Sequence, residues 1–332
     1  MSYPVTRMRR LRRSEAIRRL VRETKVGIDD LIMPVFVKEG ISETKPIVSI
    51  PGVMIHSAAS VEDEVASCLD LGLPGVMLFG IPETKDNLGS SAYRDDNIIS
   101  SVAKRLKAKY GDRILIMADL CLDEYTDHGH CGILASDSTV VNDETLSYYG
   151  KIAVAYALAG IDFVAPSGMM DGQVAAIRSA LDNAGHKDTA ILAYSAKYAS
   201  AFYGPFRDAV EVTIAGGGDR KTYQQDVANA DESMREIALD IDEGADMVMV
   251  KPAMTSLDII ARAKSKFNFP LAAYQVSGEY SMICTAADNN MLDRRSAVLE
   301  SLTVIKRAGA DCIITYFAKE AAQYVNGGLS SL

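Results

Sequence analysis

Two lysines, Lys197 and Lys251, stand at the ends of apolar runs that are typical of β-strands, residues 190–197 and 247–252. An ammonium group loses most of its hydration on a buried strand, so packing alone rarely places lysine there. If the strands are neighbours, about 4.8 Å apart, burial and mutual repulsion push at least one lysine toward the neutral amine. That form attacks a ketone to give a Schiff base. The alternative is that each lysine merely ends its strand and extends to solvent.

A second group of reactive side chains lies in the segment 119–132. Asp119, Cys121 and Asp123 are spaced two apart, so they share one face of a strand. The polar, glycine-containing loop that follows can fold Cys131 back onto them. Two thiolates and one carboxylate bind Zn²⁺ and leave a fourth position open, as catalytic zinc sites do. The loop's two histidines are further candidates, and the alternative is two free cysteines beside ordinary loop acids.

The elements that must position these residues are short apolar runs alternating with helix-compatible stretches. Near-continuous hydrophobicity is typical of parallel strands covered on both faces. Several of the helical stretches end in a glycine just before the next run, as a left-handed C′ residue would. The pattern predicts an α/β fold, a (β/α)₈ TIM barrel. The runs are 31–37, 75–81, 114–122, 162–168, 190–197, 247–252, 270–276 and 312–317, and the glycines are Gly72, Gly160, Gly244 and Gly309.

Polar residues follow several other predicted strands. Chemistry in such a barrel collects at the C-terminal ends of the strands. Each of these residues has an ordinary structural alternative, a helix cap or a half-buried ring, but their convergence on one end favours an active site. They are Ser167, Asp171, Gln275, Ser277 and Tyr316.

Composition indicates one large enzyme domain. The chain has 332 residues, of which 48% are hydrophobic, and no low-complexity stretch divides it. No run of about 18 apolar residues predicts a membrane span, and the arginine-rich start does not resemble a secretory signal. Five scattered cysteines suit a reducing cytoplasm better than a disulfide framework. We therefore expect a cytoplasmic protein.

Charge divides the chain into a basic N-terminal arm, residues 1–25, and an acidic catalytic barrel, residues 26–332. The arm carries a net charge of +7 and the remainder −16. A basic arm can bind nucleic acid, but the acidic body would repel a phosphate backbone. An arm lying on the acidic surface of a neighbouring subunit satisfies both charges, so we expect subunit contact and no nucleic-acid partner.

Several motifs together resemble the porphobilinogen synthase family, also called 5-aminolevulinate dehydratases, over almost the whole chain. They are Asp-x-Cys-x-x-x-Tyr-Thr-x-His-Gly-His-Cys-Gly at 119–132, Ala-Pro-Ser at 165–167 with Met-Asp-Gly at 170–172, the segments 196–200, 203–207 and 219–221, Met-Val-Lys-Pro-Ala at 249–253, and Tyr-Gln-Val-Ser-Gly-Glu-Tyr at 274–280. The resemblance implies a TIM barrel with an extended arm, commonly an octamer. It also implies that two 5-aminolevulinate molecules are joined, with loss of two waters, into porphobilinogen for tetrapyrrole (heme) biosynthesis.

The resemblance also implies residue roles. Lys197 and Lys251 match the family's Schiff-base lysines. Side chains that hold the two substrate carboxylates match Arg207, Arg220, Ser277 and Tyr316, and forked arginines suit that task. The supporting residues are Asp119, Ser167, Asp171, Tyr203, Lys221 and Gln275.

Two further features follow from the resemblance. The family places a lid between Arg207 and Lys221, and here that stretch contains the glycine-rich sequence 215–218. A lid over the substrate would expel water. Glu236 matches an acidic position that binds an activating Mg²⁺ in some members, with a solvated helix acid as the alternative.

The metal segment departs from the family pattern. Zinc-dependent members carry three cysteines there, and other members replace them with Ala, Asp and Asp. This chain has the hybrid set Cys121, Asp123 and Cys131. Oxygen is an acceptable zinc ligand, so we expect weakened rather than abolished Zn²⁺ binding.

Two other functions compete with this interpretation. A class I aldolase shares the barrel and one Schiff-base lysine, but needs neither a second lysine nor the Cys/Asp cluster. A nucleic-acid-binding or scaffolding protein would use the arm and leave the strand-end residues unexplained. Formation of a pyrrole from 5-aminolevulinate separates the three.

Overall fold

The computed structural model describes residues 2–214 and 218–327. Its strands are β1 (Leu31–Lys38), β2 (Lys45–Pro46), β3 (Met54–His56), β4 (Gly75–Ile81), β5 (Leu115–Leu120), β6 (Phe163–Pro166), β7 (Ala190–Lys197), β8 (Met247–Lys251), β9 (Leu271–Gln275) and β10 (Cys312–Thr315). The helices are α1 (Glu15–Leu20), α2 (Val61–Asp70), α3 (Ile98–Tyr110), α4 (Asn142–Leu158), α5 (Gln173–Asn183), α6 (Gly204–Ala209), α7 (Asp231–Asp242), α8 (Leu257–Phe267), α9 (Ser277–Asp288), α10 (Arg294–Ala308) and α11 (Ala318–Asn326).

The main sheet is a closed barrel of parallel strands. Strands β4 to β10 pair in sequence order, β4 pairs with β1, and β10 returns to pair with β1. All eight apolar runs expected from the sequence are strands of this barrel. Their continuous hydrophobicity has the expected cause, because the interior on one side and the ring of helices on the other exclude water from both faces.

The predicted helix stops are confirmed by the backbone. Gly72, Gly160, Gly244 and Gly309 all have positive φ, from +83° to +126°. At Gly309 a side chain is excluded for a second reason, since an added Cβ would lie 2.7 Å from the side chain of Lys264. Glycine at this position therefore lets α10 end and β10 begin within three residues.

Three features were not expected from the sequence. Strand β3 pairs in parallel with β1 outside the barrel, and β2 pairs antiparallel with β3. Helix α9 begins at Ser277, directly after β9, where we expected a polar strand end. The short helices α6 and α11 lie in the segments after β7 and β10. These strands and helices are short, or they follow a strand with no glycine or proline between the two elements. Hydrophobic periodicity therefore did not reveal them.

The described part of the arm, residues 2–25, lies on the surface. Neither its short 3₁₀ helix (Met8–Arg12) nor α1 contains a buried residue. Tyr3 and Leu20 are 74% and 83% exposed. No helix within the described residues is long and apolar enough to span a bilayer.

Candidate active site

A cavity of about 310 Å³ opens at the C-terminal ends of the barrel strands. It gathers side chains that are far apart in sequence, from β5, β6, β7, β8 and the segments after them. This is the end of the fold where barrel enzymes place their chemistry. The lining residues that bear on the predictions are Asp119, Asp123, Ser167, Lys197, Tyr203, Arg207, Arg220, Lys221 and Lys251.

The two lysines lie side by side. Lys197 and Lys251 are register partners on the adjacent strands β7 and β8, and each is 5% exposed. Between Ala193 and Ala196 strand β7 advances three residues while β8 advances two. This β-bulge is what brings Lys197 level with Lys251. The two lysines do end neighbouring buried strands, so the condition for their mutual influence is met.

Lys251 sits among aromatic rings. Its Nζ lies 4.4 Å from the ring centre of Tyr274 and 5.1 to 5.2 Å from those of Tyr194, Tyr203 and Phe206. Burial, and then the charge of Lys197, lower the pKa of Lys251 to about 7. A large fraction of this amine is therefore neutral and nucleophilic near neutral pH.

Lys197 has the opposite electrostatic character. Its Nζ donates a hydrogen bond to the Ser167 carbonyl oxygen at 2.5 Å. Burial lowers the pKa of Lys197, but electrostatic interactions with Cys131, Cys121 and the nearby aspartates outweigh burial and leave the pKa above its ordinary value. The pair therefore divides into one cation and one amine of lowered pKa.

Asp119 lines the same cavity as the two lysines. The Ser167 hydroxyl donates to Asp119 Oδ2 at 3.0 Å. Burial raises the pKa of Asp119, although both lysines oppose that shift. A buried carboxyl with a raised pKa next to two amines is suited to exchange protons with them.

The predicted zinc ligands come together. One ligand atom from each of Cys121, Asp123 and Cys131 lies within 4.8 Å of the others, and all three residues are buried. Burial and a hydrogen bond to Cys131 raise the pKa of Cys121. Burial acts the same way on Cys131, but the bond from Cys121 and the charge of Arg220 outweigh it and leave the pKa of Cys131 lowered. The pair thus already favours one thiolate, the form that binds metal.

Asp123 has a second partner. Arg220 Nη2 lies 2.9 Å from Asp123 Oδ2 and also donates to the Gly129 carbonyl oxygen at 2.8 Å. Burial raises the pKa of Asp123, but the guanidinium outweighs burial and holds that pKa well below its usual range. The carboxylate is therefore ionised, and the predicted metal site and the predicted substrate arginine share it.

The two loop histidines form local hydrogen bonds. His128 Nε2 lies 3.2 Å from the Asn87 carbonyl oxygen, and His130 Nδ1 lies 3.1 Å from the Tyr223 hydroxyl. Neither belongs to the metal-competent group found within the described residues.

The predicted carboxylate-binding residues divide into two sets. Arg207 and Arg220 line the cavity of the lysines, together with the predicted supporting residue Lys221. Tyr316 borders a neighbouring cavity, and its hydroxyl lies 3.1 Å from that of Tyr274. Ser277 is buried, and its Oγ has no hydrogen-bond partner among the described residues. An unsatisfied buried hydroxyl is costly, so this one is suited to receive a polar ligand group.

Three further predicted residues also lie outside the lysine cavity. Asp171 is exposed and borders a separate surface pocket. Gln275 is fully buried, donates to Ser301 Oγ at 2.9 Å and accepts from Thr315 Oγ1 at 2.7 Å, so it ties β9 to its neighbours. Glu236 lies on α7, where burial and then Asp171, Glu243 and Glu232 raise its pKa to about 7.

The cavity also holds residues that the sequence did not single out. Gln224 is 4% exposed, and its Nε2 has no partner within the described chain. Glu124 is buried beside Asp123, and burial raises its pKa well above the usual range. Gln224 follows the basic pair 220–221 by three residues, and this closeness to predicted substrate-binding residues is the sequence signal that could have revealed it. The residues 215–217 of the expected lid lie outside the described residues.

Comparison with known proteins identifies the family. The model of the family "Delta-aminolevulinic acid dehydratase" matches residues 5–324. The chain belongs to this family. A relative from Streptomyces coelicolor is 53% identical over 324 residues, covering 97% of this chain and 98% of the relative. One from Archaeoglobus fulgidus is 52% identical over 321 residues, covering 97% and 98%. Both carry the family's name.

A solved structure agrees with the sequence relatives. The enzyme from Toxoplasma gondii, described as porphobilinogen synthase in complex with the reaction product porphobilinogen, superposes with a TM-score of 0.94 at 43% identity. The match covers 96% of this chain and 91% of that one. The expected family and the expected TIM barrel are both confirmed.

Proposed function

We propose that Lys197 and Lys251 carry out the reaction of the family as paired Schiff-base lysines. The chain is a dehydratase of this family and condenses two molecules of 5-aminolevulinate to porphobilinogen with loss of two waters. One observation supports the residue assignment above all: two buried lysines are register partners in one cavity, with pKa values shifted in opposite directions. A class I aldolase needs only one such lysine.

The first bond forms at Lys251. Its neutral Nζ attacks the ketone carbon of one substrate, the carbonyl oxygen takes up a proton, and loss of water leaves an imine. Lys197 must first release a proton to react in the same way on the second substrate. Asp119, which lines the same cavity and accepts from Ser167, is the carboxyl placed to take that proton. The surrounding rings exclude water and so favour both dehydrations.

The substrate carboxylates bind to the basic residues of the cavity. Arg207, Arg220 and Lys221 line it together, and forked guanidinium groups bind carboxylates in a bidentate manner. Ser277 and Tyr316 are proposed to hold the carboxylate of the other substrate. The unpartnered Ser277 Oγ supports this assignment, as does the contact of Tyr316 with Tyr274, whose ring lies beside Lys251.

The cluster Cys121, Asp123 and Cys131 would hold Zn²⁺. The fit rests on the ligand set: two sulfurs and one ionised carboxylate, buried and within 4.8 Å of each other. A bound zinc ion would supply Lewis-acid polarisation to the substrate beside it. Affinity would be lower than at a three-thiolate site, because Asp123 supplies a harder ligand and is also paired with Arg220.

Glu236 is proposed as an allosteric Mg²⁺ position. Burial, and then the negative charge of Asp171, Glu243 and Glu232, raises the pKa of Glu236. A divalent cation bound there would offset the repulsion among these carboxylates. The test is activity with and without Mg²⁺. Glu236→Gln should remove the stimulation, whereas Asp112→Asn, at a fully exposed acid between α3 and β5, serves as the control and should not.

The assembly is proposed to be a homo-octamer held together in part by the arm, in the cytoplasm. The exposed apolar residues of the arm and its charge of +7 against −16 support contact with a neighbouring subunit. The same charge argument disfavours nucleic acid as a partner. A membrane is likewise not expected as a partner.

The assignment is tested by following pyrrole formation from 5-aminolevulinate with a colour reagent. The wild-type enzyme should form porphobilinogen, and both Lys197→Met and Lys251→Met should not. Full activity in either variant would exclude the corresponding lysine from the reaction.

A further inference from the structure

The β-bulge in β7 requires support from outside the barrel. A bulge leaves a residue without its ladder partner, and a buried carbonyl without a donor is costly. In β7 the carbonyl oxygen of Ser195 lies within the bulge and accepts a hydrogen bond from Gln225 Nε2 at 3.2 Å. The Gln225 side chain therefore supplies the donor that the neighbouring strand does not.

Gln225 also binds the backbone on both sides of Lys197. The backbone nitrogen of Gln225 donates to the Lys197 carbonyl oxygen at 3.0 Å, and the backbone carbonyl oxygen of Gln225 accepts from Ala199 N at 2.8 Å. Tyr198 pairs with Gln225 as an isolated parallel bridge. One residue thus bonds to the chain before, at and after the reactive lysine.

The Gln225 side chain is itself held in one orientation. Ser233 Oγ on α7 donates to Gln225 Oε1 at 2.6 Å, and the Tyr198 hydroxyl lies 2.7 Å from the same Ser233 Oγ. Gln225, Ser233 and Tyr198 are at most 4% exposed. With Oε1 occupied by Ser233, the amide group must present its nitrogen to Ser195.

The bulge has a consequence for the active site. In a regular strand Tyr194 and Lys197, three residues apart, would point to opposite faces. Here both lie on the same side of the strand, with Lys197 Nζ 5.5 Å from the Tyr194 ring centre and Lys251 Nζ 5.1 Å from it. Without the bulge, Tyr194 and Lys197 would lie on opposite faces of the strand, and Lys197 would lose its register with Lys251.

We infer that Gln225 is a positioning residue for the reaction: by satisfying the bulged carbonyl of Ser195, it fixes Lys197 opposite Lys251. It also anchors the segment carrying Arg220, Lys221 and Gln224 to that same strand end, because it directly follows them. The side chain touches neither lysine nitrogen and acts through the backbone of β7. The inference rests on the proposed Schiff-base function and adds the device that aligns its two amines.

The test compares the two lysines within one enzyme. Full-length wild type, Gln225→Met and Ser233→Ala are each incubated with 5-aminolevulinate and borohydride, and mass spectrometry of peptides gives the ratio of adduct on Lys197 to adduct on Lys251. The ratio should fall at least about fivefold in Gln225→Met, the scale of one lost hydrogen bond, and less in Ser233→Ala. Asn97→Leu removes a buried amide that bonds to backbone at the start of α3, and it should leave the ratio unchanged.

A second readout does not depend on the chemistry. Amide hydrogen exchange of residues 194–199 should accelerate in Gln225→Met and Ser233→Ala but not in Asn97→Leu. An unchanged adduct ratio together with unchanged exchange would overturn the inference, and Ser233→Ala alone decides it if Gln225→Met does not fold. Absence of any adduct on Lys197 in the wild type would instead contradict the proposed function, leaving the exchange result to judge the positioning role.

Discussion

Lys197 and Lys251 are register partners on adjacent strands, yet the protein shifts their pKa values in opposite directions. The lysine among aromatic rings, Lys251, loses its charge readily. The lysine beside the thiols and carboxylates, Lys197, retains it. Proximity alone would disfavour charge on both, so the difference arises from what surrounds each amine. We therefore expect the first imine to form on Lys251.

The pH dependence of imine formation should follow Lys251. Its pKa of about 7 means that the neutral fraction grows as pH rises from 6 to 8, so the rate of borohydride-trapped adduct on Lys251 should rise over that interval. Lys197→Met removes a neighbouring positive charge, so the pKa of Lys251 should increase and the rise should move to higher pH. A rate on Lys251 that is flat between pH 6 and 8 would contradict this electrostatic account.

Replacing Lys251 should separate activity from stability. Lys251→Met should lower turnover by roughly 10⁴- to 10⁶-fold, the scale seen when a nucleophile is removed. The melting temperature should stay equal or rise, because a buried amine is exchanged for an apolar side chain of similar length. Lys104 is an exposed lysine on α3, and Lys104→Met should alter neither quantity. A large drop in melting temperature would point to a structural role for Lys251.

Zinc affinity should respond to the third ligand. Asp123→Cys supplies a third thiolate, so zinc should be retained at chelator concentrations that strip the wild type, as elemental analysis would show. The same change removes the partner of Arg220, so the KM for 5-aminolevulinate should change independently of metal content. Cys131→Ala should lose zinc and, if the metal is catalytic, most activity. Wild-type enzyme that keeps full activity after exhaustive chelation, with no detectable metal, would exclude a catalytic zinc.

The arm should govern assembly. Deleting residues 1–13 removes basic and exposed apolar side chains, including Tyr3 and Leu11, and should shift the particle to a smaller oligomer in sedimentation velocity. Replacing Arg9 and Arg10 with glutamate in the full-length chain should act in the same direction if charge carries the contact. A particle unchanged in size after the deletion would contradict the proposed role of the arm.

The barrel was predictable because its strands are hydrophobic on both faces and its helices stop at glycine. The paired lysines were predictable for a related reason, since a charged residue at the end of a buried run is conspicuous. Cys121, Asp123 and Cys131 were found through their spacing and the family motif. These features are local in sequence, and local patterns are what periodicity reports.

Other parts of the site depend on contacts that no local pattern records. Tyr194 and Lys197 lie on the same side of β7 because of the bulge, which breaks the two-residue alternation. The ion pair of Arg220 with Asp123 joins residues about a hundred positions apart. Ser277 was expected at the end of a strand, but it begins helix α9. Such features follow from tertiary packing rather than from the order of residue types.

The most direct test of the paired-lysine mechanism is borohydride trapping on the wild-type enzyme. The protein is incubated with 5-aminolevulinate at pH 8 and reduced, and the peptides that contain Lys197 and Lys251 are analysed by mass spectrometry, with enzyme reduced in the absence of substrate as the control. We predict a reduced 5-aminolevulinate adduct on Lys251 and, at higher substrate concentration, on Lys197 as well. Active enzyme with neither lysine modified would contradict the mechanism.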